Sequence, residues 1–244
     1  MKFTTLITSV TATAVLLLAG PTTATAAEST LEIVKKRGHL RCQVGQPSAG
    51  YYNMDANGKW YGLDVQNCHA VAAAIFGDKD KLEIQSVSSQ MRFTALANGE
   101  SDMLSRTATW TMSRDTQLGL DFLQPNFYDG QGFTVRKDSG ITSAMQLKGA
   151  KVCVLTGTTT ELNLADYSRA NNLNISAVTF EDFNVRDDTY LKGGCDSTTG
   201  DKSSMAGNLA AFPVPSDHIC LLYTSDAADE SSSGLWGGGG GGGG

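Results

Sequence analysis

The sequence predicts an α/β protein built from two halves, in each of which strands and helices alternate. Three observations predict this fold class. Apolar runs of strand length alternate with amphipathic segments of helix length, hydroxyl-rich turns follow two of the strands, and four cysteines fall as one pair in each half. Alternation of this kind is typical of doubly wound sheets, which bind ligands at the carboxyl ends of their strands.

The first half of the sequence predicts three strands separated by two helices. Asp64 is a residue type that caps helices and Gly77 is one that ends them, so they bound the longer helix. Ser89 is expected to cap the shorter helix, which Gly99 stops. The predicted elements are strands at 40–44, 82–87 and 102–104, a helix at 64–76 with the apolar face Val65, Cys68, Ala72, Ile75 and Phe76, and a helix at 89–96.

The second half repeats this order after a glycine-containing segment, 130–133, that separates the halves. Gly157 gives a turn its conformational freedom, and Thr158 with Glu161 fits a capping box that opens a helix. The predicted elements are strands at 152–155 and 175–180, helices at 161–170 and 182–191, a stop at Gly193-Gly194, and a further strand that begins at 195–196.

The N-terminus has the pattern of a secretory signal peptide. Lys2 precedes an apolar run, Val10–Ala19, and the small-residue pattern Ala24-Thr25-Ala26 follows. A retained membrane anchor is the alternative, but a membrane-spanning helix needs about 20 apolar residues. We therefore expect export and cleavage after Ala26 or Ala27.

The composition argues against nucleic-acid and anionic-membrane partners. The chain has 244 residues and a formal net charge of −6 at pH 7, without a basic stripe. Its length allows one large domain or two small ones.

The cysteines fit an exported protein. An even set in an oxidising compartment is more often a disulfide framework than a metal site, and no pair has the C-x-x-C spacing of many zinc sites. We expect two disulfides, because each pair would join a strand to a nearby element within one half. The expected pairs are Cys42 with Cys68 and Cys153 with Cys195, which leave Cys220 over.

Two hydroxyl-rich segments suggest that the ligand carries a carboxylate. They are 106–114, which has an arginine at each end, and 156–161, which opens a helix. Arginine presents a planar fork of donors that matches a carboxylate, and helix N-termini offer unpaired N–H groups to anions. Taken singly, each segment also fits a solvated loop followed by a capped helix. Together they suggest that one amino acid is held between them.

The chain has residue types that fit both ends of an amino acid. An anion such as the carboxylate of Asp201 could hold the α-ammonium group. Neither His39 nor His69 forms a recognisable catalytic set with a nucleophile, so no catalysis, cofactor or metal is expected. The candidate donors for the α-carboxylate are Arg114, the hydroxyls of Thr107, Thr109 and Thr159, and the N–H groups around Gly157.

Six motifs spread over residues 31–201 form a specific set. They are GLDV at 62–65, RFTAL at 92–96 with Gly99-Glu100, DMLSR at 102–106, TWT at 109–111 with RDT at 114–116, FYDGQGF at 127–133, and GTTTEL at 157–162. The set resembles the periplasmic solute-binding proteins of amino-acid ABC transporters, family 3 type, and within that family the binders of general L-amino acids. The resemblance implies a two-lobed, type II periplasmic-binding-protein fold.

The resemblance also implies roles for particular residues. The matching positions for the ligand carboxylate are Thr107, Thr109 and Arg114, and the family's Gly-Thr-Thr turn corresponds to Gly157, Thr158 and Thr159. The ammonium-binding aspartate is expected five residues after Asp196, at Asp201. An aromatic residue near the first strand usually covers the ligand side chain, which indicates Tyr51, with Tyr52 as the alternative.

The chain departs from the family pattern towards its C-terminus. Residues 197–200 lack the apolar residues expected of a strand, and 220–230 with the final glycines resemble translated sequencing adapter. A flexible Gly/Ser tail is the alternative. The fold is therefore expected to be incomplete at the C-terminus. The expected boundaries are a signal peptide at 1–26, lobe one at 27–132 without its C-terminal return, an incomplete lobe two at 133–212, and a non-native or disordered tail at 213–244.

The resemblance implies that the protein binds L-amino acids with broad specificity and delivers them to the membrane permease of an ABC transporter. We expect a monomer in the periplasm of a Gram-negative bacterium. The alternatives are a periplasmic enzyme on the same scaffold, such as a cyclohexadienyl-type dehydratase, and a ligand-sensing module.

Overall fold

Two five-stranded sheets form the framework of the fold in a computed structural model, which describes residues 28–222 and 230–236. The expected signal peptide lies outside the described residues. The helices are α1 (Thr30–Arg37), α2 (Leu63–Phe76), α3 (Arg92–Ala97), α4 (Met112–Gln117), α5 (Thr159–Ala170), α6 (Phe183–Leu191) and α7 (Lys202–Ala210). The strands are β1 (Leu40–Val44), β2 (Asn53–Met54), β3 (Trp60–Tyr61), β4 (Leu82–Ser86), β5 (Met103–Thr109), β6 (Asp121–Asp129), β7 (Gln131–Arg136), β8 (Lys151–Leu155), β9 (Ser176–Phe180), β10 (Ser197–Asp201), β11 (His218–Leu222) and β12 (Glu230–Trp236).

The first sheet has the strand order β4-β1-β5-β12-β6, with β1 parallel to both β4 and β5. Helix α2 packs on this sheet through Val65, Cys68 and Ala72, and Gly77 ends it with a φ of 68°. The second sheet has the order β11-β7-β10-β8-β9, in which β8 is parallel to β9 and β10. The chain passes from one sheet to the other at Gly130, between β6 and β7, so the predicted two-lobed α/β fold is confirmed.

The expected cap at Asp64 is wrong. Gly62 is the N-cap residue of α2, and Asp64 lies inside the first helical turn, where it is fully buried. Its carboxyl group accepts hydrogen bonds from Ser105 Oγ at 3.4 Å and Asn126 Nδ2 at 3.5 Å. Burial raises the pKa of Asp64 from its ordinary value of 3.8 to about 7, against the opposing influence of these bonds and of the Arg106 charge.

This buried carboxyl predicts a pH-dependent stability. Because the pKa is higher in the folded state, the contribution of Asp64 is fully present below about pH 4 and is lost as the pH rises to about 7. Replacement Asp64→Asn should remove a slope of up to about 1.4 kcal/mol per pH unit from the free energy of unfolding within that window. Urea unfolding at pH 5 and pH 8 measures it, with the exposed Asp166→Asn as control. Equal pH dependence in the wild type and in Asp64→Asn would contradict this account.

Ser89 does not cap the short helix either. Helix α3 begins at Arg92 with Met91 as its N-cap residue, and Ser88 Oγ accepts the Met91 N–H at 3.3 Å. Ser89 is buried instead, and its hydroxyl accepts a hydrogen bond from Arg106 Nη2 at 2.9 Å. The buried guanidinium of Arg106 and the end of the helix compete for the Ser89 hydroxyl as an acceptor. The guanidinium needs the acceptor more, because it is buried and the helix end is exposed.

Residues 197–201 form a strand, β10, although they lack apolar side chains. Their hydroxyl groups are buried and donate to backbone carbonyls of the neighbouring strands: Ser197 Oγ to Thr134 O at 3.0 Å, Thr198 Oγ1 to Cys153 O at 3.2 Å and Thr199 Oγ1 to Gly132 O at 2.7 Å. Because every hydroxyl finds an acceptor, burial of this polar strand carries little penalty. The further strand expected to begin at 195–196 is therefore present and begins at Ser197, although its residues are not apolar.

Both expected disulfides are present. Cys42 in β1 is bonded to Cys68 in α2, and Cys153 in β8 is bonded to Cys195, with Cα atoms 6.0 and 5.8 Å apart. Cys220 is the free cysteine. Each bond joins two elements of one lobe.

Two strands come from the segment expected to lie outside both lobes. Strand β11 pairs with β7, and its Ile219 and Leu221 pack on the core of the second lobe. Strand β12 pairs with β5 and β6, so the chain is back in the first sheet at 230–236. The lobe boundaries at 132 and 212 stay a prediction.

Candidate functional site

A cleft between the two sheets brings most of the predicted site residues together. It lies where β5, β8 and β10 end, at Thr109, Leu155 and Asp201, so the carboxyl ends of strands from both sheets meet there. The side chains on one wall are Ser89, Arg92, Thr107, Thr109 and Arg114; those on the other are Leu155, Thr158, Thr159, Thr160, Phe183, Arg186, Asp201, Ser204 and Met205, with Gly200 beside them.

Arg114 reaches the cleft from α4, just after β5. Thr111 caps this helix, since its Oγ1 accepts the Arg114 N–H at 3.3 Å. The guanidinium donates from Nη1 to Thr109 O at 2.8 Å and lies 4.9 Å from the centre of the Phe93 ring. These contacts hold the fork of donors beside the end of the strand.

Three threonines line the cleft beside Arg114. The Thr107 hydroxyl lies 3.0 Å from the hydroxyl of Tyr52, which belongs to the hydrophobic core of the first lobe. This contact holds Thr107 against that core. The Thr109 hydroxyl lies 3.0 Å from the hydroxyl of Thr159, which belongs to the other lobe. The two lobes therefore touch across the cleft at these side chains.

The turn at Gly157 makes contacts within its own lobe and with the facing lobe. Its φ is 71°, and a Cβ atom there would lie 3.1 Å from Gln90 Cα of the facing lobe. Its N–H donates to the Glu161 carboxylate at 2.8 Å, and its carbonyl accepts from Arg92 Nη2 at 3.1 Å. Gly157 is absent from the cleft lining, and its N–H already has an intramolecular acceptor.

Thr158 lines the cleft, but its hydroxyl serves the helix. Thr158 Oγ1 accepts the Glu161 N–H at 3.1 Å and donates to Leu155 O at 2.7 Å. The Glu161 side chain, which a full capping box would direct to the Thr158 N–H, bonds to Gly157 instead. Helix α5 accordingly begins at Thr159, two residues earlier than predicted.

Asp201 faces the cleft from the second lobe. It is the last residue of β10 and the N-cap residue of α7, yet its side chain makes no capping hydrogen bond to that helix. Asp201 lines the cleft on the wall that faces Thr107 and Arg114.

Tyr51 lies outside the cleft lining. Its ring is buried edge-on against Phe127, with ring centres 5.9 Å apart, and its hydroxyl bonds to Ser203 Oγ at the start of α7. Burial raises the pKa of Tyr51 to about 12. The residue ties lobe one to lobe two, whereas Tyr52 contacts the cleft through Thr107.

Sequence reasoning missed two arginines of the cleft. Arg186 projects from α6 and bonds to Asp187 through Nε at 2.8 Å and Nη2 at 2.7 Å. Arg92 opens α3 and is only 2% exposed. The signal for Arg92 was its place in the RFTAL motif, which was used only to recognise the family; nothing in the sequence around Arg186 indicates a cleft.

Two further features bear on the class of protein. Within residues 28–222 and 230–236, no group of histidine, cysteine and acidic side chains is arranged to hold a metal ion. In the same residues, no helix is long and apolar enough to cross a membrane.

Curated relatives match most of this chain. It is 47% identical over 196 residues to the glutamate/glutamine/aspartate/asparagine-binding protein BztA of Rhodobacter capsulatus, and 45% identical over 196 residues to the general L-amino acid-binding periplasmic protein AapJ of Rhizobium johnstonii. Each match covers 80% of this chain, and the chain spans 58% of the length of each relative.

Solved structures share the fold. A periplasmic binding protein from Brucella ovis with glutathione bound is 44% identical, with a TM-score of 0.81, over 87% of this chain and 66% of its own. A cysteine-binding protein from Campylobacter jejuni, 22% identical, has a TM-score of 0.75 over 87% of this chain and 82% of its own, which shows likeness of fold alone.

The family model of the bacterial extracellular solute-binding proteins, family 3, matches residues 40–221, which include the cleft, four of the five strands of the first sheet and nearly all of the second sheet. Its match extends past the expected boundary at 212. Since it covers well over half of the sequence, this chain belongs to the bacterial extracellular solute-binding proteins, family 3.

Proposed function

We propose that this protein binds L-amino acids, of more than one kind, in the cleft between its lobes and delivers them to the membrane permease of an ABC transporter. The family, and the names of relatives that bind several amino acids, support this proposal. We place the protein in the periplasm of a Gram-negative bacterium, where it acts as a monomer without turnover of its ligand.

The observation that carries the proposal is the opposition of Arg114 and Asp201 across one cleft. An α-amino acid presents a carboxylate and an ammonium group on the same carbon, and these two side chains match that pair in charge. Arg114 binds the carboxylate, because its planar fork can donate two parallel hydrogen bonds. Asp201 accepts from the ammonium group.

The hydroxyl groups complete the carboxylate site. Thr107 and Thr109 come from the strand end beside Arg114, and Thr159 comes from the N-terminus of α5, where the helix dipole favours an anion. Gly157 and Thr158 position Thr159 rather than donating to the ligand, since their polar groups are engaged within the turn. Tyr51 joins the lobes behind the ligand.

Ligand binding then favours a closed arrangement of the lobes. The hydrogen bonds Thr109–Thr159 and Tyr51–Ser203 both join one lobe to the other, and both require the two lobes to meet. A ligand held by side chains from both walls shifts the population toward this arrangement, and hinge motion of this kind is what a permease can recognise.

Calorimetric titration of the purified protein with a panel of L-amino acids tests the proposal. We expect one site that binds several L-amino acids and leaves each chemically unchanged by mass spectrometry, while the corresponding amino-acid amides, which lack the α-carboxylate, bind far more weakly. Binding of the amides as tightly as the acids, no binding of any amino acid, or conversion of the ligand would contradict it.

A further inference from the structure

Gly207 brings helix α7 of the second lobe against the backbone of the first lobe. A Cβ atom at this position would lie 2.8 Å from Ala49 O and 3.2 Å from Ala49 Cβ. Cβ atoms essentially never approach another heavy atom within 3.0 Å, so a side chain here would push the two backbones apart. Glycine inside a helix is otherwise unfavourable relative to alanine. The close approach of the two lobes gives a physical reason for a glycine at this point of α7.

The turn that carries Ala49 is held firmly within the first lobe. The Ser48 N–H donates to Tyr52 O at 2.7 Å across the turn, and Gly50 O accepts the Leu63 N–H at the start of α2 at 3.0 Å. Because these bonds fix the turn on both sides, it has little freedom to retreat from α7. Strain at the contact would be relieved by separation of the lobes.

The start of α7 is attached close to the crossing between the lobes. The Ser203 N–H donates to the Asp129 carboxylate at 3.0 Å, one residue before the crossing at Gly130. The Ser203 hydroxyl bonds both to this carboxylate and to the Tyr51 hydroxyl of the first lobe. Gly207 lies four residues further on, about one helical turn from this attachment, so hinge motion brings it towards the first lobe.

Gly207 lies beside the cleft without lining it. Ser204 and Met205 of the same helix are on the cleft wall, whereas neither Gly207 nor Ala49 is among the described residues that line the cleft. A ligand between the lobes therefore has no contact with this pair. The two walls can nevertheless meet around the ligand only if α7 comes this close to the turn.

We propose that Gly207 is a positioning residue for closure of the lobes. Its lack of a side chain lets α7 reach the Ala49 backbone, and the Tyr51–Ser203 hydrogen bond completes the same contact. This inference rests on the proposed function. Apparent affinity falls in proportion to the fraction of molecules able to close, so a side chain at position 207 weakens the binding of every ligand by one common factor.

The test is the variant Gly207→Ala, titrated by calorimetry with L-glutamate, L-glutamine and L-alanine. Each affinity should fall about tenfold or more, by the same factor for all three ligands. Small-angle X-ray scattering should show that ligand contracts the wild-type protein more than it contracts the variant. The control Ala206→Ser adds one heavy atom at an exposed position of α7 and should change neither result.

Two further measurements separate this role from a structural one. Without ligand, the urea midpoint of Gly207→Ala should equal or exceed that of the wild type, because alanine favours the helix and the open lobes keep position 207 away from Ala49. The variant Tyr51→Phe loses the hydrogen bond to Ser203, so each affinity should fall by about threefold, again with the ranking of ligands unchanged.

Several outcomes would overturn the inference. Unchanged affinities in Gly207→Ala would do so, as would a loss confined to one ligand or a fall in the urea midpoint parallel to the loss of affinity. If Gly207→Ala does not fold, unchanged affinities in Tyr51→Phe are decisive against it. These outcomes leave the proposed function intact, whereas failure of the wild-type protein to bind any amino acid contradicts both.

Discussion

Replacement Arg114→Ala should weaken the binding of every L-amino acid by a few tens-fold or more. The α-carboxylate common to all of them would lose its bidentate partner in the cleft, and truncation of one member of a buried charge pair costs about 2–5 kcal/mol. The Arg114 guanidinium is already aligned by Thr109 O and by the Phe93 ring, so no rearrangement of the neighbouring chain is needed to present it.

Calorimetry with one neutral and one acidic amino acid measures this effect. Loss of Arg114 should reduce both affinities together. Arg169→Ala is the matched control, because that arginine is exposed and paired with Asp166 on the surface of α5. Unchanged binding by the Arg114→Ala protein would place the carboxylate site elsewhere.

Removal of the disulfide between Cys153 and Cys195 should lower the free energy of unfolding by about 3–4 kcal/mol. The bond closes a loop between residues 42 positions apart, and in the chain-entropy model its main effect is to restrict the unfolded chain. Both cysteines are buried beside Tyr190, so the paired replacement Cys153→Ser/Cys195→Ser also places two hydroxyls in an apolar cluster.

Denaturant unfolding of this double variant gives the size of the effect, with Cys220→Ser as the control for loss of a cysteine that is not in a disulfide. Peptide mapping under non-reducing conditions should find both predicted bonds. A bond that joins the halves, such as Cys68 to Cys153, would contradict the assignment of each pair to one lobe.

Elements with a strong local signal could be predicted from the sequence. Strand β1 was predicted with the bounds that the structure gives, because apolar residues alternate with polar ones over its five residues, as is typical of a strand. Helix α6 was predicted equally well, since Asp182 at its N-cap accepts hydrogen bonds from the N–H groups of Asn184 and Val185. The ends of these elements depend on residues close in sequence.

Features that depend on distant contacts could not be predicted. A strand was expected from 195–196, but the hydrogen bonds that allow the hydroxyls of β10 to be buried, to carbonyls of β7 and β8, follow from no local pattern. Asp64 is of a residue type that commonly caps helices, but it is buried against Ser105, 41 residues away in the sequence. Tertiary contacts override local preference in both cases.

The candidate site also contains residues that could be predicted from the sequence and residues that could not. The residues carried by motifs, such as Thr107, Thr109 and Arg114, lie together in the cleft as expected. Arg92 was overlooked because its motif was used only to recognise the family, and its burial on the cleft wall is visible only in the structure. Tyr51 was assigned to the ligand, yet its hydroxyl bonds to Ser203 across the lobes.

The central claim is that one α-amino acid is held between Arg114 and Asp201, and a crystal structure of the protein with L-glutamate tests it most directly. We expect the α-carboxylate within hydrogen-bond distance of the Arg114 guanidinium and of Thr109, and the ammonium group on the Asp201 carboxylate. Glutamate bound outside this cleft, or bound within it with its α-carboxylate turned away from Arg114, would contradict the account.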